Sequence, residues 1–157
     1  MTDDQVPVWS TVTGALDVTL QCSDGAGLAT AQLQAPVATD NCDVTLTPVK
    51  IAGSFVPGTC PESGTFTNTW TVTDDSGNIS SVYTQTITII DTQAPTWTTA
   101  AGALDVTLQC SDAAGLTTAQ SQAPVATDNC DVTLTPVKTA GSFVAGTCPE
   151  EGTYTNT

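Results

Sequence analysis

The feature that most constrains this chain is that it contains one long stretch twice. Residues 14–50 read GALDVTLQCSDGAGLATAQLQAPVATDNCDVTLTPVK, and residues 102–138 repeat them with three substitutions. Every landmark moves by 88 positions: Trp9 to Trp97, Cys22 to Cys110, Cys42 to Cys130, Lys50 to Lys138, Cys60 to Cys148. A fixed period of this length marks an array of small domains, each one structural unit. Thr157 matches Thr69, so the second copy has no equivalent of residues 70–90. The expected organisation is a complete domain over residues 3–90 and a second one over 91–157 that lacks its last strands. An 88-residue unit is small enough for a disulfide or a metal to matter to its stability.

Charge removes several classes of function. Sixteen acids face two lysines, with no arginine or histidine, for a net charge of −14. Phosphate contacts need Lys or Arg, so no nucleic-acid partner is expected. An anionic membrane surface would repel the chain, and no segment is apolar or long enough to insert in a bilayer. The six cysteines fall three per repeat in a threonine-rich chain, which suits an oxidising, extracellular setting. No CxxC pair and no histidine are present, so zinc is not expected. No apolar leader follows Met1. Met1 reads as an added start residue, because Asp3 already matches Asp91, and the chain reads as a window cut from a longer array.

Hydropathy alternates with a period of two in several short stretches. Leu16, Val18 and Leu20 point one way, and Asp17, Thr19 and Gln21 the other. Residues 65–73 place Phe66, Trp70 and Val72 on one face and threonines on the other. Residues 79–90 close the domain, with Val82, Ile87, Ile89 and Ile90 directed to the core. Residues 44–50 read as a strand with Val44 and Leu46 inward, and Pro48 assigns it to an edge or a bulge. Residues 74–78 are a hairpin turn, and residues 28–34 suit a turn or two of helix as well as a strand. Short strands at this spacing predict an all-β fold of tandem, antiparallel, immunoglobulin-like β-sandwiches, the second truncated.

Three stretches carry a family resemblance: ATDNCDVTLTP at residues 38–48, TNTWTVTDDSGN around residues 68–78 and TITIIDTQAP at residues 86–95. With these the chain resembles the hyalin-repeat-like (HYR-like), immunoglobulin-like modules strung in tandem in large cell-surface and gliding-motility adhesins of Bacteroidota. The resemblance implies a cell-surface fibre and no reaction. It also implies a fourth cysteine where this chain has Ser76.

Three cysteines per repeat allow one internal bridge. With residues 16–22 running up the sandwich, 29–39 down, 44–50 up, 65–73 down and 79–90 up, Cys22 and the Cys60 loop share the top. Cys42 lies at the bottom beside the turn at 74–78. The expected bridges are Cys22–Cys60 and Cys110–Cys148, leaving Cys42 and Cys130 as free thiols; Cys22–Cys42 competes if residues 28–34 form a helix. A bridge over such a loop stabilises by about 3–4 kcal/mol.

The same topology gathers oxygen ligands at the bottom. Asp40, Asp43, Asp74 and Asp75, with Asp3 from the leading segment, form one set; Asp91, Asp128 and Asp131 form its counterpart. Calcium takes six to eight such oxygens and is the candidate cofactor, against the plainer reading of Asp and Asn as turn formers. Lys50 could form an isopeptide link to Asn68, although an edge-strand lysine that discourages sheet pairing is the simpler reading. Trp9 and Trp97 read as plugs at one end of each domain, with sugar stacking as the alternative. No nucleophile, base and orienter stand together, so no enzyme is expected. The chain reads as a structural and adhesive spacer of a secreted, surface-attached protein. Its expected partners are neighbouring repeats, then surface glycans or other cell-surface proteins. A carbohydrate-binding module and a fibre subunit assembled by strand donation are the alternatives.

Overall fold

A computed structural model describes residues 2–60, 62–148 and 150–157; Met1, and with it the reading of an added start, lies outside the described residues. The chain is mostly strands with two short helices and divides into two compact units, Met1–Thr92 and Gln93–Thr157.

In the first unit, β1 (Val8–Trp9) pairs with β3 (Ala38–Thr39), and the remaining strands form one sheet. Its order is β2 (Val18–Gln21), β7 (Tyr83–Ile90), β6 (Gly64–Thr71), β4 (Val49–Ile51), with β5 (Val56–Pro57) also pairing with β6. The β6–β7 hairpin is antiparallel, from Gly64 opposite Ile89 to Trp70 opposite Tyr83. β2 instead runs parallel to β7, with Val18 opposite Ile87 and Gln21 opposite Ile90. This corrects the expectation of purely antiparallel strands. A parallel pair needs a long crossover, and the whole of residues 22–82 supplies it.

α1 (Gly25–Leu33) resolves the ambiguous stretch after β2. Asp24 caps it, its Oδ1 accepting the Gly27 N–H at 2.8 Å. Ala, Leu and Gln favour helix in between. Pro36 follows the extended Gln34, so the helix cannot continue. Ala31 is its buried contact, packed with Ile87 and Ile89; Val18, Leu20, Leu28, Phe55 and Phe66 surround them. Each such aliphatic residue, fully buried, contributes about 1.5–3 kcal/mol. Tyr83, Gln85, Ile87 and Ile89 face inward along β7, whereas Thr84 is exposed and Thr86, Thr88 and Ile90 are half-buried on the other side. Val82 lies outside this core at 60% exposure, and Val44 is 95% exposed in a loop that becomes strand only after Pro48.

The expected Cys22–Cys60 bridge does not form, for Cys60 is a free, exposed thiol. The two residues do lie toward the same end of the sheet: Cys22 N–H donates to the Ile90 carbonyl, and Gly64, four residues past Cys60, pairs opposite Ile89. Sideways they are apart. Cys60 sits in the β5–β6 hairpin loop, held by Gly58 N–H to Ser63 O and Ser63 N–H to Cys60 O. That hairpin is two to three strand spacings from β2, about 10–14 Å, and a bridge needs α-carbons within about 7 Å. Cys42 is free and exposed.

In the second unit β8 (Thr96–Trp97) pairs with β9 (Ala126–Thr127), and β10 (Val144–Ala145) with β11 (Gly152–Thr153). α2 (Ala113–Ser121) repeats α1, capped by Asp112. Residues 106–109 form no strand. Cys110 and Cys148 are free and exposed, so their expected bridge is absent too; Cys148 lies in the equivalent hairpin loop, where Glu151 N–H donates to its carbonyl. Cys130 carries a disulfide and is not the free thiol expected. That expectation rested on losing one partner, at the position of Ser76, and losing one partner does not leave a sulfur free.

Candidate functional site

The β6–β7 turn is built around one buried carboxylate. Asp74, 6% exposed, accepts from Ser76 N–H at 2.9 Å, Asn78 N–H at 2.7 Å and the Asn78 side-chain amide at 2.8 Å. Gly77 takes φ +89°, a conformation that glycine adopts without strain. Burial pushes the Asp74 carboxyl pKa up, but the donors from Asn78, Ser76 and Gly77 outweigh it and hold it below its ordinary value.

The loop after β3 comes alongside. Asp40 Oδ1 accepts the N–H groups of Cys42 at 2.9 Å and Asp43 at 3.1 Å. Asp43 Oδ1 accepts Thr45 N–H at 2.8 Å, and its Oδ2 accepts Asp75 N–H at 3.2 Å, tying the two loops together. The leading segment closes the group, the Asn78 amide donating to the Asp3 carbonyl at 3.4 Å. One carboxylate oxygen from each of Asp3, Asp40 and Asp74 lies within 4.8 Å of the other two. The Cys42 thiol stands in their field: desolvation, then the charges of Asp3, Asp40 and Asp74, push its pKa up. An open depression lined by Asp3, Cys42, Asp43, Thr45, Asp75 and Ser76 gives solvent access.

Of the acids expected to converge, the structure brings together Asp3, Asp40 and Asp74. Asp43 is occupied as a turn former, and Asp75 lies exposed at the rim. Asp91 follows β7, at the opposite end of the sheet from the Asp74 turn. In the second unit Asp128 and Asp131 repeat the turn bonds, Asp128 Oδ1 accepting from Cys130 and Asp131, and Asp131 Oδ1 from Thr133.

A second polar group lies inside the core. Asn68 and Gln85 are wholly buried. Asn68 donates to Gln85 Oε1 at 3.0 Å and to Gln32 Oε1 at 2.9 Å, and accepts Gly53 N–H at 3.1 Å. Gln85 donates to the carbonyls of Leu16 at 2.8 Å and Ala31 at 3.2 Å. Lys50 donates to the Gln32 carbonyl in the last turn of α1, where the helix dipole favours a cation, and lies 5.2 Å from the Trp70 ring centroid. The lysine therefore neutralises a helix end on an edge strand. The inward Asn68 and Gln85 were not legible as core, since polar residues at inward positions of an alternating strand read as outward ones.

Trp9 packs edge-on to Tyr83 at 5.5 Å, and its indole N–H donates to the Ser81 carbonyl at 2.8 Å. Both the ring edge and the polar handle are used in packing. Trp97 is 62% exposed, and its unit contains no counterpart of Ser81 or Tyr83.

No helix among the described residues is long and apolar enough to cross a membrane. A family model described as an HYR-like domain with 4 cysteines matches residues 10–89. Cysteines stand at 22, 42 and 60 within that span. No curated protein matches the chain, and no solved structure does.

Proposed function

We propose a load-bearing spacer role, with attachment as its purpose, for this chain, which belongs to the HYR-like domains with 4 cysteines. HYR-like domains are extracellular adhesion-type repeats, and a structural or adhesive role is consistent with that. We read the chain as part of a tandem, immunoglobulin-like array in a secreted, surface-attached protein, without catalysis. Neighbouring repeats are its first partners, and surface glycans or cell-surface proteins the further ones.

The observation that supports this most is the parallel pairing of β2 with β7. The leading segment meets the Asp74 turn at one end of the sheet, through Asn78 and Asp3. The chain leaves β7 at the other end, after Ile90. Tension between those ends drags β2 and β7 in opposite directions along their length. The ladder from Val18–Ile87 to Gln21–Ile90 is then loaded in shear, all bonds at once. Thr86 N–H to Asp17 Oδ1, 2.7 Å, extends it. An antiparallel pair pulled at its open end would unzip one bond at a time.

Force spectroscopy tests this. Residues 2–92 pulled through their two ends should unfold at markedly higher force than the same residues pulled apart across Gly64 and Ile90, which peels β6 from β7. Equal forces in the two geometries would remove the spacer reading. The carbohydrate-binding alternative is less favoured at Trp9, whose indole N–H and ring edge are occupied by Ser81 and Tyr83, and it rests on the exposed Trp97.

A further inference from the structure

We propose that the second unit carries a receptor groove for one extended peptide segment of the pattern Tyr-x-Gln-x-Ile-x-Ile, which runs parallel to residues 106–109 and seats its tyrosine against Trp97. In the first unit β7 is such a segment, with Tyr83, Gln85, Ile87 and Ile89 facing inward. Four residues receive its first half. Trp9 packs edge-on to the Tyr83 ring, and the Val12 carbonyl accepts the Tyr83 hydroxyl at 2.9 Å. The Leu16 carbonyl accepts the Gln85 amide at 2.8 Å, and Asp17 Oδ1 accepts Thr86 N–H at 2.7 Å. Displaced by 88 positions, the same four places are Trp97, Ala100, Leu104 and Asp105. All four line one open cavity of about 320 Å³. The cavity therefore stands in the second unit where Tyr83 to Thr86 stand in the first.

The groove is already shaped. Ala103 N–H donates to the Ala100 carbonyl and Asp105 N–H to the Gly102 carbonyl, both at 3.0 Å, the same turn bonds that Ala15 and Asp17 make. Gly102 takes φ +79° and Gly14 φ +81°. Phe143 and Tyr154 stand 5.3 Å apart, as Phe55 and Phe66 stand 5.2 Å apart. These groups hold their places with no strand over them. Trp97, Val106, Phe143 and Tyr154 are exposed, whereas Trp9, Val18, Phe55 and Phe66 are half-buried around β7. Covering that apolar area favours association, and a preformed receptor lowers the ordering cost of binding.

The polar groups select the occupant. The carbonyls of Ala100 and Leu104 suit side-chain donors, and the Asp105 carboxylate suits a backbone N–H. A tyrosine hydroxyl, a glutamine amide and an extended backbone supply them in that order, as β7 does. Tyr83–Ile90 carries no charge, and Asp105 would repel an acidic segment. A second copy does not offer this segment as folded, because its one stretch of the pattern, β7, is held between β2 and β6. The occupant is therefore a partner segment that is unpaired before it binds and that adds a strand through its backbone. The force test above concerns residues 2–92 alone, so the two readings fail separately.

The test titrates the full chain with a synthetic peptide of residues 79–92, read by the anisotropy of a dye on the peptide and by hydrogen exchange of the unaltered chain. Saturable binding of one peptide per chain is expected. Exchange should slow at the amides of residues 107–109 and stay unchanged at residues 18–21. Tyr83→Ala in the peptide and Asp105→Ala in the chain should each weaken binding at least about tenfold, the loss that follows from removing an aromatic anchor or a hydrogen bond to a charged group. Asp4→Ala should leave binding unchanged, and circular dichroism checks that each chain variant is folded. A scrambled peptide of the same composition should not bind. Equal binding of the scrambled peptide, no binding of the native one, or slowed exchange at residues 18–21 in place of 107–109 would overturn the proposal. So would a chain that is dimeric by light scattering without peptide and already protected at residues 107–109, which would make a second copy the occupant.

Discussion

The side-chain amide of Asn68 donates to Oε1 of Gln85 at 3.0 Å, with neither residue exposed to solvent. Around this bond the core of the first unit is held in register: Asn68 on β6, Gln85 on β7, Gln32 on α1 and the N–H of Gly53 all meet. Replacing Asn68 with Ala would strand the buried Gln85 Oε1 and the Gly53 N–H, whereas Gln32 Oε1 keeps the Lys50 ammonium at 3.3 Å. Each stranded group costs about 1–3 kcal/mol. Asn68→Ala should therefore destabilise the unit by about 3 kcal/mol or more. Gln85→Leu should cost a similar amount, because it keeps the volume but leaves the Leu16 carbonyl and one Asn68 amide hydrogen without their partner. Urea unfolding of both single variants and the double variant gives the coupling between them. A coupling near zero would show that the network is not cooperative.

Gly53 is the narrowest point of that arrangement. A Cβ there would lie 2.1 Å from the Thr67 carbonyl oxygen. The loop between β4 and β5 runs directly over β6, and only a residue without a side chain lets it approach. Gly53→Ala should lower stability by about 2–4 kcal/mol and break the Gly53–Asn68 hydrogen bond. Its effect should add less than fully to that of Asn68→Ala, and urea midpoints of the pair measure this.

Sequence made some of this visible and hid the rest for physical reasons. The 88-residue period and the alternation of Phe66, Trp70 and Val72 announced the β6 face, because alternation is a local property of one strand. The helix at Gly25–Leu33 was undecided, since its Ala and Gln content serves either state, and Asp24 as a cap became decisive only with Gly27 folded onto it. The Cys22–Cys60 bridge failed because direction along the sheet was deduced but strand order was not, and β7 and β6 stand between the two. The β6–β7 turn and the loop after β3 were correctly placed at one end. What could not be read there was which acids were free: Asp43 bonds Thr45 and Asp75, whereas Asp40 keeps one oxygen unbonded.

Acid should act through Asp74. Its folded pKa lies below the ordinary carboxylate value, because donors from Asn78, Ser76 and Gly77 outweigh the cost of burial. A depressed pKa means that the unfolded chain takes up the proton first. The stabilisation is therefore full above the unfolded pKa of about 4 and is lost as pH falls through the folded value. Urea midpoints measured in chelator between pH 6 and pH 2 should drop below about pH 4. Asp74→Asn should flatten that drop while lowering stability at pH 6. An undiminished acid limb in the variant would place the responsible carboxylate elsewhere.

Cys42 gives a second pH signature at the same end of the sheet. Its thiol is pushed up by desolvation and then by Asp3, Asp40 and Asp74. Only the thiolate reacts with an alkylating agent. At pH 8 iodoacetamide should therefore modify Cys42 more slowly in the folded chain than in urea, despite its exposure. Asp3→Asn should speed the folded reaction several-fold by removing the strongest of the three charge effects on the thiol. Peptide mapping after timed quenching reads the rate at this one residue.

The two copies of one short sequence give the last prediction. Val18–Gln21 and residues 106–109 read VTLQ alike, yet the first is a strand and the second is not. The difference is the partner: β2 hydrogen-bonds along β7, and residues 93–157 contain no counterpart of Tyr83–Ile90. Strand propensity was the same in both places, and pairing decided the outcome. The apolar side of the second unit is correspondingly open, with Val106 54%, Phe143 43% and Tyr154 42% exposed. A synthetic peptide spanning residues 70–92 should therefore bind the isolated fragment 93–157. Binding should raise its β-sheet circular dichroism and slow hydrogen exchange at the amides of residues 107–109. The same peptide carrying Ile87→Asp and Ile89→Asp should not bind, because those side chains fill the core beside α1 in the first unit. Equal binding of both peptides would mean that backbone pairing alone drives the association. No binding of either would mean that the two copies, despite their shared sequence, do not use the same partner.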